Sequence, residues 1–385
     1  LAENEINPTE LHQEVEKLEK ELSQKSEIFG QNFESKRIQY TDVKSSLNPN
    51  EVAIEMVRYR YFDHVLTDSV IYAALYLKPE FKKPKAIILR EGHRMETRFF
   101  KFYRNAIMGK IADNVSYGVF WQPIVDEIGQ VATVYLSADG VYNQINLESI
   151  PTPDGRYVID NSNIVLVSNT KDIFLRKTKT REGTKDNTAS MFGNPTFYLA
   201  SSDERAIPAL PGTEKEISQL KYVLNQKGWT TKEFTEGTAA EEKVKELNSP
   251  KIFHIATHGL YRPSTEVTLE EQIEGNEAVL TQNPLMRTGL LLRGAGDLLD
   301  KTDHNYNMEN GILTAYEAMS LNLDKTDLVV LSACETGLGD LEAGEGVYGL
   351  QRAFLVAGAK VLIMSMFKVD DDATQKLMLK FYQKW

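Results

Sequence analysis

The stretch Leu328–Gly339, LVVLSACETGLG, joins an apolar run to a glycine-rich turn and contains Cys334, the only cysteine of the chain. A second stretch, Ile252–Gly259 (IFHIATHG), is built in the same way and reaches its turn at His258. Each apolar run has the length and composition of a buried β-strand. Open α/β sheets usually place their functional groups at the carboxyl ends of strands. The two stretches therefore predict a thiol and an imidazole at the ends of adjacent strands.

Cys334 and His258 are the residue types that a thiol-dependent enzyme needs. The thiolate is the reactive form of cysteine, and a neighbouring base or cation favours it. We expect His258 to act as general base and then to protonate the leaving amine. The peptide N–H groups of Gly259 and Cys334 are predicted to form an oxyanion hole, in which one donor contributes about 3 kcal/mol. The residues indicate no third member of a catalytic triad.

Composition and charge limit the class of protein. The 385 residues are 42% hydrophobic and 26% charged, which is typical of a soluble globular protein of about two or three domains. The net charge of -11 argues against nonspecific binding of nucleic acid. No apolar stretch approaches the ~20 residues that span a bilayer, so we expect no membrane segment and a cytoplasmic location. A single cysteine cannot form an internal disulfide.

The chain divides into four predicted parts. Residues 1–45 form a helical segment, 46–174 a noncatalytic α/β half, 175–194 a polar and basic linker, and 195–385 the catalytic half. In the catalytic half, predicted strands and helices alternate at 196–200, 212–227, 230–234 and 239–248. This alternation indicates right-handed βαβ units and a parallel sheet.

The segments around these halves leave several alternatives open. The helix predicted over residues 8–29 either packs on its own domain or ends a helical repeat array. The basic linker is either an ordinary connection or a self-processing site. The acidic insert at 261–312 could lie over the cleft. Because the chain lacks an initiator methionine and stops abruptly at Trp385, we expect a fragment truncated at its C-terminus.

Three further residues have two interpretations each. His254 stands four residues before His258, on the same face of a regular strand. Since the Glu of an H-E-x-x-H helix is missing, a core histidine is favoured over a metal ligand, and no metal is expected. Asp370 and Asp371 precede the last helix. Asp371 or Asp372 is predicted to cap that helix, and the alternative is that a carboxylate among Asp370, Asp371 and Asp372 binds a Lys or Arg side chain next to the scissile bond.

Several of these motifs strongly resemble the CHAT domain family, caspase-like domains that commonly occur beside tetratricopeptide repeats and are distantly related to separase. The motifs are His258-Gly259, Ser332–Gly337 (SACETG), Gly344–Leu350 (GEGVYGL), Val369–Asp371 (VDD) and, upstream, Asp139–Leu147 (DGVYNQINL). The resemblance covers about residues 45–385. Two departures are the early end of the chain and Phe367-Lys368, where many relatives carry a tryptophan.

The resemblance implies a fold and a site. The fold is an α/β caspase-like sandwich, with a mainly parallel sheet flanked by helices and made of a pseudo-caspase half and a catalytic half. The site is a dyad of His258 and Cys334, with a preference for a basic residue that Asp371, and also Asp370, would bind.

These observations predict a regulated cysteine endopeptidase that cleaves a protein partner after Arg or Lys and needs no cofactor. A regulatory protein would act through helical repeats, and bacterial signalling or defence is expected by analogy. The alternative is a catalytically silent caspase-like scaffold for protein assembly. A thiol-dependent acyltransferase is less favoured because the chain has no phosphate-binding glycine loop.

Overall fold

The computed structural model describes residues 38–178, 186–199, 207–261, 284–299, 311–333, 340–342, 346–366 and 371–385. The helix predicted over 8–29 lies outside these ranges. Two five-stranded sheets dominate the described part of the chain, one in the N-terminal portion and one in the C-terminal portion. Together with their helices they make the protein an α/β protein with a parallel sheet, as the sequence predicts.

The first sheet contains residues with strong β propensity, mainly Val, Ile, Leu and Tyr. Its strands are β1 (Glu51–Asp63), β2 (Val65–Leu77), β3 (Lys85–Leu89), β4 (Thr133–Ser137) and β5 (Asn163–Val167). Their spatial order is β3-β2-β1-β4-β5; the pairs among β3, β2 and β1 are antiparallel, and those among β1, β4 and β5 are parallel. This mixed sheet lies within the stretch 46–174, for which the sequence predicts an α/β half.

Four helices accompany the first sheet: α1 (Tyr40–Ser46), α2 (Phe100–Gly109), α3 (Gln122–Ile128) and α4 (Lys171–Thr178). A helical turn Gly92–Arg94 and a π-helical turn Met95–Phe99 lead into α2, and another π-helical turn, Tyr117–Trp121, leads into α3. Two of the helices in this part of the chain are thus preceded by turns of π geometry.

The C-terminal portion contains strands β6 (Thr188–Pro195), β7 (Thr230–Glu236), β8 (Ile252–Ala256), β9 (Gly259–Tyr261), β10 (Thr288–Leu291), β11 (Ile312–Thr314), β12 (Leu328–Leu331), β13 (Asp340–Glu342), β14 (Gly346–Tyr348) and β15 (Val361–Met364). Its helices are α5 (Pro211–Gln226), α6 (Glu241–Lys245), α7 (Ala295–Leu299), α8 (Ala315–Ala318), α9 (Leu350–Val356) and α10 (Asp371–Lys384). The five strands of the main sheet have the order β15-β12-β8-β6-β7 and are all parallel. Strands β9 to β11 form a separate three-stranded sheet, and β13 pairs with β14.

Helices cover both faces of the parallel sheet, which explains why its central strands β8 and β12 are buried throughout. In β12 the side chains alternate between the two faces. Leu328 and Val330 belong to a cluster with residues of α5 and α10, while Val329 and Leu331 belong to one with residues of α6, α8 and α9. The second cluster also contains Phe253 of β8. The part of the sheet next to the candidate site thus packs against two separate hydrophobic clusters, one on each face.

The prediction of a strand at Thr196–Ala200 is wrong. The first strand of the parallel sheet is β6, which ends at Pro195 and lies almost entirely within the stretch predicted as linker. Strand β6 contains Gly193 and Asn194, which are poor strand formers, and this obscured its pattern. Gly193 is required there because a Cβ atom would lie 2.6 Å from Cγ1 of Ile217 in α5.

None of the helices within the described ranges is long and apolar enough to cross a membrane.

Candidate active site

His258 lies two residues beyond β8, a strand whose five residues are all buried. The side chain of His258 is half-buried, and its ring centroid is 5.2 Å from that of Phe197. Its Nε2 atom is 2.9 Å from the carbonyl oxygen of Pro208. Because a carbonyl oxygen can only accept, this contact assigns a hydrogen to Nε2 and leaves Nδ1 as the basic nitrogen.

Gly259 is the first residue of β9, an edge strand of the three-stranded sheet. The N–H of Leu291 donates to the carbonyl oxygen of His258 at 2.9 Å, and the hydroxyl of Thr257 donates to the carbonyl oxygen of Leu291. Hydrogen bonds alternate along an antiparallel pair, so the N–H of Gly259 faces away from β10. The His-Gly turn is therefore held by β10, and one of its N–H groups is directed to the open edge.

Cys334 lies outside the described residues, and the chain before it is described as far as Ala333. Strand β12, which leads to it, pairs with β8 in parallel, with Leu328 opposite Ile252 and Leu331 opposite Ile255. The pairing continues beyond the strand because the N–H of Ser332 donates to the carbonyl oxygen of Ile255 at 2.9 Å. In the sequence, Cys334 follows Leu331 by three residues, and His258 follows Ile255 by three residues.

His254 is a core histidine, with no exposed side-chain surface. Its Nδ1 atom is 3.1 Å from the hydroxyl of Tyr382, and its Nε2 atom is 3.0 Å from Oε1 of Glu216. The other carboxylate oxygen of Glu216 accepts a hydrogen bond from the hydroxyl of Ser332 at 3.3 Å. Both ring nitrogens of His254 are thus occupied by protein groups.

The predicted acidic pocket lies outside the described side chains. Asp370 lies outside them, and Asp371 is the first residue of α10, with its side chain outside the description. Among the side chains that the structure does describe, no group of three or more His, Cys, Asp or Glu residues could hold a metal ion. The binding of a basic side chain by Asp371 and Asp370 stays a prediction.

Sequence reasoning missed two parts of this region. One is the carbonyl oxygen of Pro208, which lies three residues before α5; a backbone atom leaves no signal in the sequence. The other is Glu216, which lies in α5 and is only 3% exposed. The signal that could have identified it is its position among the buried residues Thr213, Ile217 and Leu220 of an otherwise amphipathic helix.

Comparisons with known proteins show what this chain is similar to. The CHAT domain profile matches residues 115–385. Tetratricopeptide repeat protein 28 of Mus musculus is 26% identical over 213 residues, which cover 54% of this chain and 8% of that protein. Its namesake from Homo sapiens is 25% identical over 213 residues, with the same two shares. The chain thus corresponds to a small part of these long relatives.

Proposed function

The chain belongs to the CHAT domain family, and on that premise we propose that it is a regulated cysteine endopeptidase with His258 and Cys334 as its dyad. The observation that carries the proposal is the register of β8 and β12. The two residues follow the same pair, Leu331 and Ile255, by three positions on neighbouring strands. Neighbouring strands lie about 4.8 Å apart, so a continued register brings the thiol within reach of the imidazole.

The contacts of His258 define how it would act. Its Nε2–H is directed to Pro208, so Nδ1 would take the proton of the Cys334 thiol. The thiolate then attacks the carbonyl carbon of the substrate. The protonated imidazole gives its proton to the leaving amine, and a thioester remains on the sulfur. Water, deprotonated by the same nitrogen, hydrolyses the thioester and restores the thiol.

The oxyanion of each tetrahedral intermediate would be bound by backbone N–H groups. The N–H of Gly259 faces away from β10 and is one donor, and that of Cys334 is the other. Both donors would be backbone groups of residues that follow strands of the parallel sheet, β8 and β12. Since their positions are set by the backbone, they need little reorganisation during the reaction.

The substrate is proposed to be a protein cleaved after Arg or Lys. Asp371, with Asp370 beside it, would receive the basic side chain, because a carboxylate binds guanidinium and ammonium groups strongly. In this proposal the first sheet belongs to a pseudo-caspase half without catalytic residues. The curated relatives named above are tetratricopeptide repeat proteins, which supports control by a regulatory protein through helical repeats.

The proposal is tested with a fluorogenic peptide library, comparing wild type with Cys334→Ala and with Asp371→Asn. We expect cleavage after Arg or Lys that C334A abolishes, because no other thiol is present. D371N should lower kcat/KM for basic substrates by about 10- to 100-fold while leaving the thiol reactive. The assay is run with and without an added tetratricopeptide repeat protein.

Other outcomes separate the parts of the proposal. Cysteine-dependent cleavage after another residue type would retain the dyad and refute the acidic pocket. Cleavage that persists in C334A would refute the mechanism. A folded protein whose thiol is unreactive and which cleaves nothing would favour the catalytically silent scaffold.

A further inference from the structure

A buried polar cluster joins the two strands that lead to the proposed dyad. It consists of Glu216 from α5, His254 from β8, Ser332 after β12 and Tyr382 from α10. His254 and Tyr382 have no exposed surface, and Glu216 is 3% exposed. A buried carboxylate requires hydrogen-bond donors to offset the loss of water, so the contacts of Glu216 are the main question.

Each oxygen of Glu216 has its own donor. Oε1 is 3.0 Å from Nε2 of His254, and Oε2 is 3.3 Å from the hydroxyl of Ser332. His254 is followed four residues later by His258, and Ser332 is followed two residues later by Cys334. One carboxylate therefore connects His254, within β8, to Ser332, the residue that follows β12.

The hydrogen bonds of the cluster are compatible with one another. If Nε2 of His254 donates to the carboxylate, its Nδ1 accepts from the hydroxyl of Tyr382, which is 3.1 Å away. Burial, reinforced by the negative charge of Glu216, raises the pKa of Tyr382, so this hydroxyl stays protonated. Ser332 supplies the remaining donor. In this arrangement each hydrogen bond among the four side chains has one donor and one acceptor.

We infer that Glu216 is a positioning residue that sets the separation of the strand ends bearing His258 and Cys334; this inference rests on the proposed function. Glu216 touches neither residue and takes no part in proton transfer. It acts through His254, which lies opposite Val330 in the paired part of β8, and through Ser332, which follows β12; their hydrogen bonds to one carboxylate limit sliding of the two strands past each other. A displacement of about 1 Å in a catalytic pair can cost about 100-fold in rate.

The test uses Glu216→Gln and measures the alkylation of Cys334 by iodoacetamide as a function of pH. Because the chain has one cysteine, every alkylation event reports this thiol. His258→Ala defines the profile of a thiol without its base. We expect the Cys334 thiol of wild type to be alkylated at lower pH than that of H258A. The alkylation profile of E216Q should lie closer to that of H258A, with an about tenfold lower rate than wild type near pH 7. In the peptide assay, E216Q should lower kcat by about 10- to 100-fold and leave KM nearly unchanged.

The matched control is Glu214→Gln, in the same helix. Glu214 accepts a hydrogen bond from the side chain of Asn194 at 2.9 Å and makes no contact with the cluster. Its substitution should leave both profiles at the wild-type values. A second variant, Ser332→Ala, removes one donor and keeps the rest, and Ser332→Thr, which retains the hydroxyl, should recover most of the rate. In the double variant, the free-energy effects of E216Q and S332A should not be additive.

Two results would overturn the inference. One is a folded E216Q with the alkylation profile and kcat of wild type. The other is a wild-type profile identical to that of H258A, which would mean that no thiol–imidazole pair exists to be positioned. If peptides are not cleaved but E216Q still shifts the alkylation profile, the inference stands and the peptidase proposal fails. If E216Q does not fold, S332A against S332T decides the question.

Discussion

Two histidines four residues apart have different chemical capacities because their neighbours differ. His254 is fully buried and both of its ring nitrogens are hydrogen-bonded to side chains. His258 is half-buried, and the Nε2 atom of its ring is hydrogen-bonded to a backbone carbonyl, that of Pro208. A carbonyl accepts a hydrogen and leaves the opposite nitrogen basic. Environment, rather than residue type, therefore makes His258 the candidate base and His254 a structural group.

Glu241 is a second buried carboxylate, and its environment is less balanced than that of Glu216. Glu241 is 1% exposed and lies 2.6 Å from Nζ of Lys245, while the N–H of Gly311 donates to its other oxygen at 2.9 Å. Lys245 also pairs with Glu317 at 3.1 Å. Burial, together with the charge of Glu317 and against the pull of Lys245, raises the pKa of Glu241 to about 7.

The raised pKa predicts how stability changes with pH. The folded state holds the proton of Glu241 more tightly than the unfolded chain, so this group stabilises the fold below pH 4.5 and loses that contribution as pH rises to about 7. Glu241→Gln should remove this dependence. Between pH 5 and pH 8, the free energy of unfolding of E241Q should rise relative to wild type by on the order of 2 kcal/mol.

Urea denaturation at the two pH values measures this difference. Glu246→Gln, which removes an exposed carboxylate near the same helix, serves as the surface control. A difference between E241Q and wild type that is constant from pH 5 to pH 8 would contradict the prediction.

Helix α5 is the element that organises the candidate site. Pro208 lies just before it, Glu216 lies within it, and its apolar residues pack on β6, β8 and β12. Its distance from the sheet is set at Gly193 of β6, where a Cβ atom would be 2.6 Å from Cγ1 of Ile217 and 3.0 Å from the carbonyl oxygen of Thr213. One glycine thus permits the close approach that brings Glu216 to the strands.

Gly193→Ala should therefore destabilise the protein by about 1 to 3 kcal/mol, since either α5 or β6 must move to admit the methyl group. Because α5 carries Glu216, the reactivity of Cys334 should fall as well. Differential scanning calorimetry and iodoacetamide alkylation measure the two effects. Gly212→Ala is the matched control, since a Cβ atom there meets nothing within 4 Å. Equal melting temperatures for G193A and G212A would disprove the packing argument.

Contacts between residues, in addition to the polypeptide link, connect the two five-stranded sheets of the molecule. Arg176 of α4 donates to the carbonyl oxygen of Lys360, next to β15, at 2.7 Å. Met366, two residues beyond β15, lines a groove together with residues of α2, including Phe100 and Tyr103. These contacts join the first sheet's helices to the edge strand of the parallel sheet.

Cleavage between the halves should therefore leave them associated. We expect a chain cut at a protease site introduced at 180–184 to elute from size-exclusion chromatography at the mass of the intact protein. Its two fragments should separate only in denaturant. A control chain carrying the same insertion, uncut, fixes the reference volume. Elution of two smaller species in native buffer would contradict the prediction and would also argue against self-processing as a route to an active two-fragment enzyme.

Much of the fold was predictable because hydrophobic periodicity is a local property. The runs at Ile252–Ala256 and Leu328–Leu331 are strands with the predicted neighbours, and the helix predicted over 212–227 is present as α5. The position of β6 was predicted wrongly because its glycine and asparagine have low strand propensity. These two residues make the contact with α5 and do not contribute to a strand pattern. Strand β9 was missed because three residues are too few for an alternating pattern.

The amino-acid order alone established an α/β fold in which a cysteine and a histidine follow two buried strands. The three-dimensional arrangement was needed to show that those strands are neighbours in register, that Pro208 assigns the hydrogen on His258, and that Glu216 ties β8 to the end of β12. The physical reason is the range of the interactions. Strand formation depends on residues close together in the chain, whereas a backbone carbonyl or a buried carboxylate finds its partners only when distant segments pack.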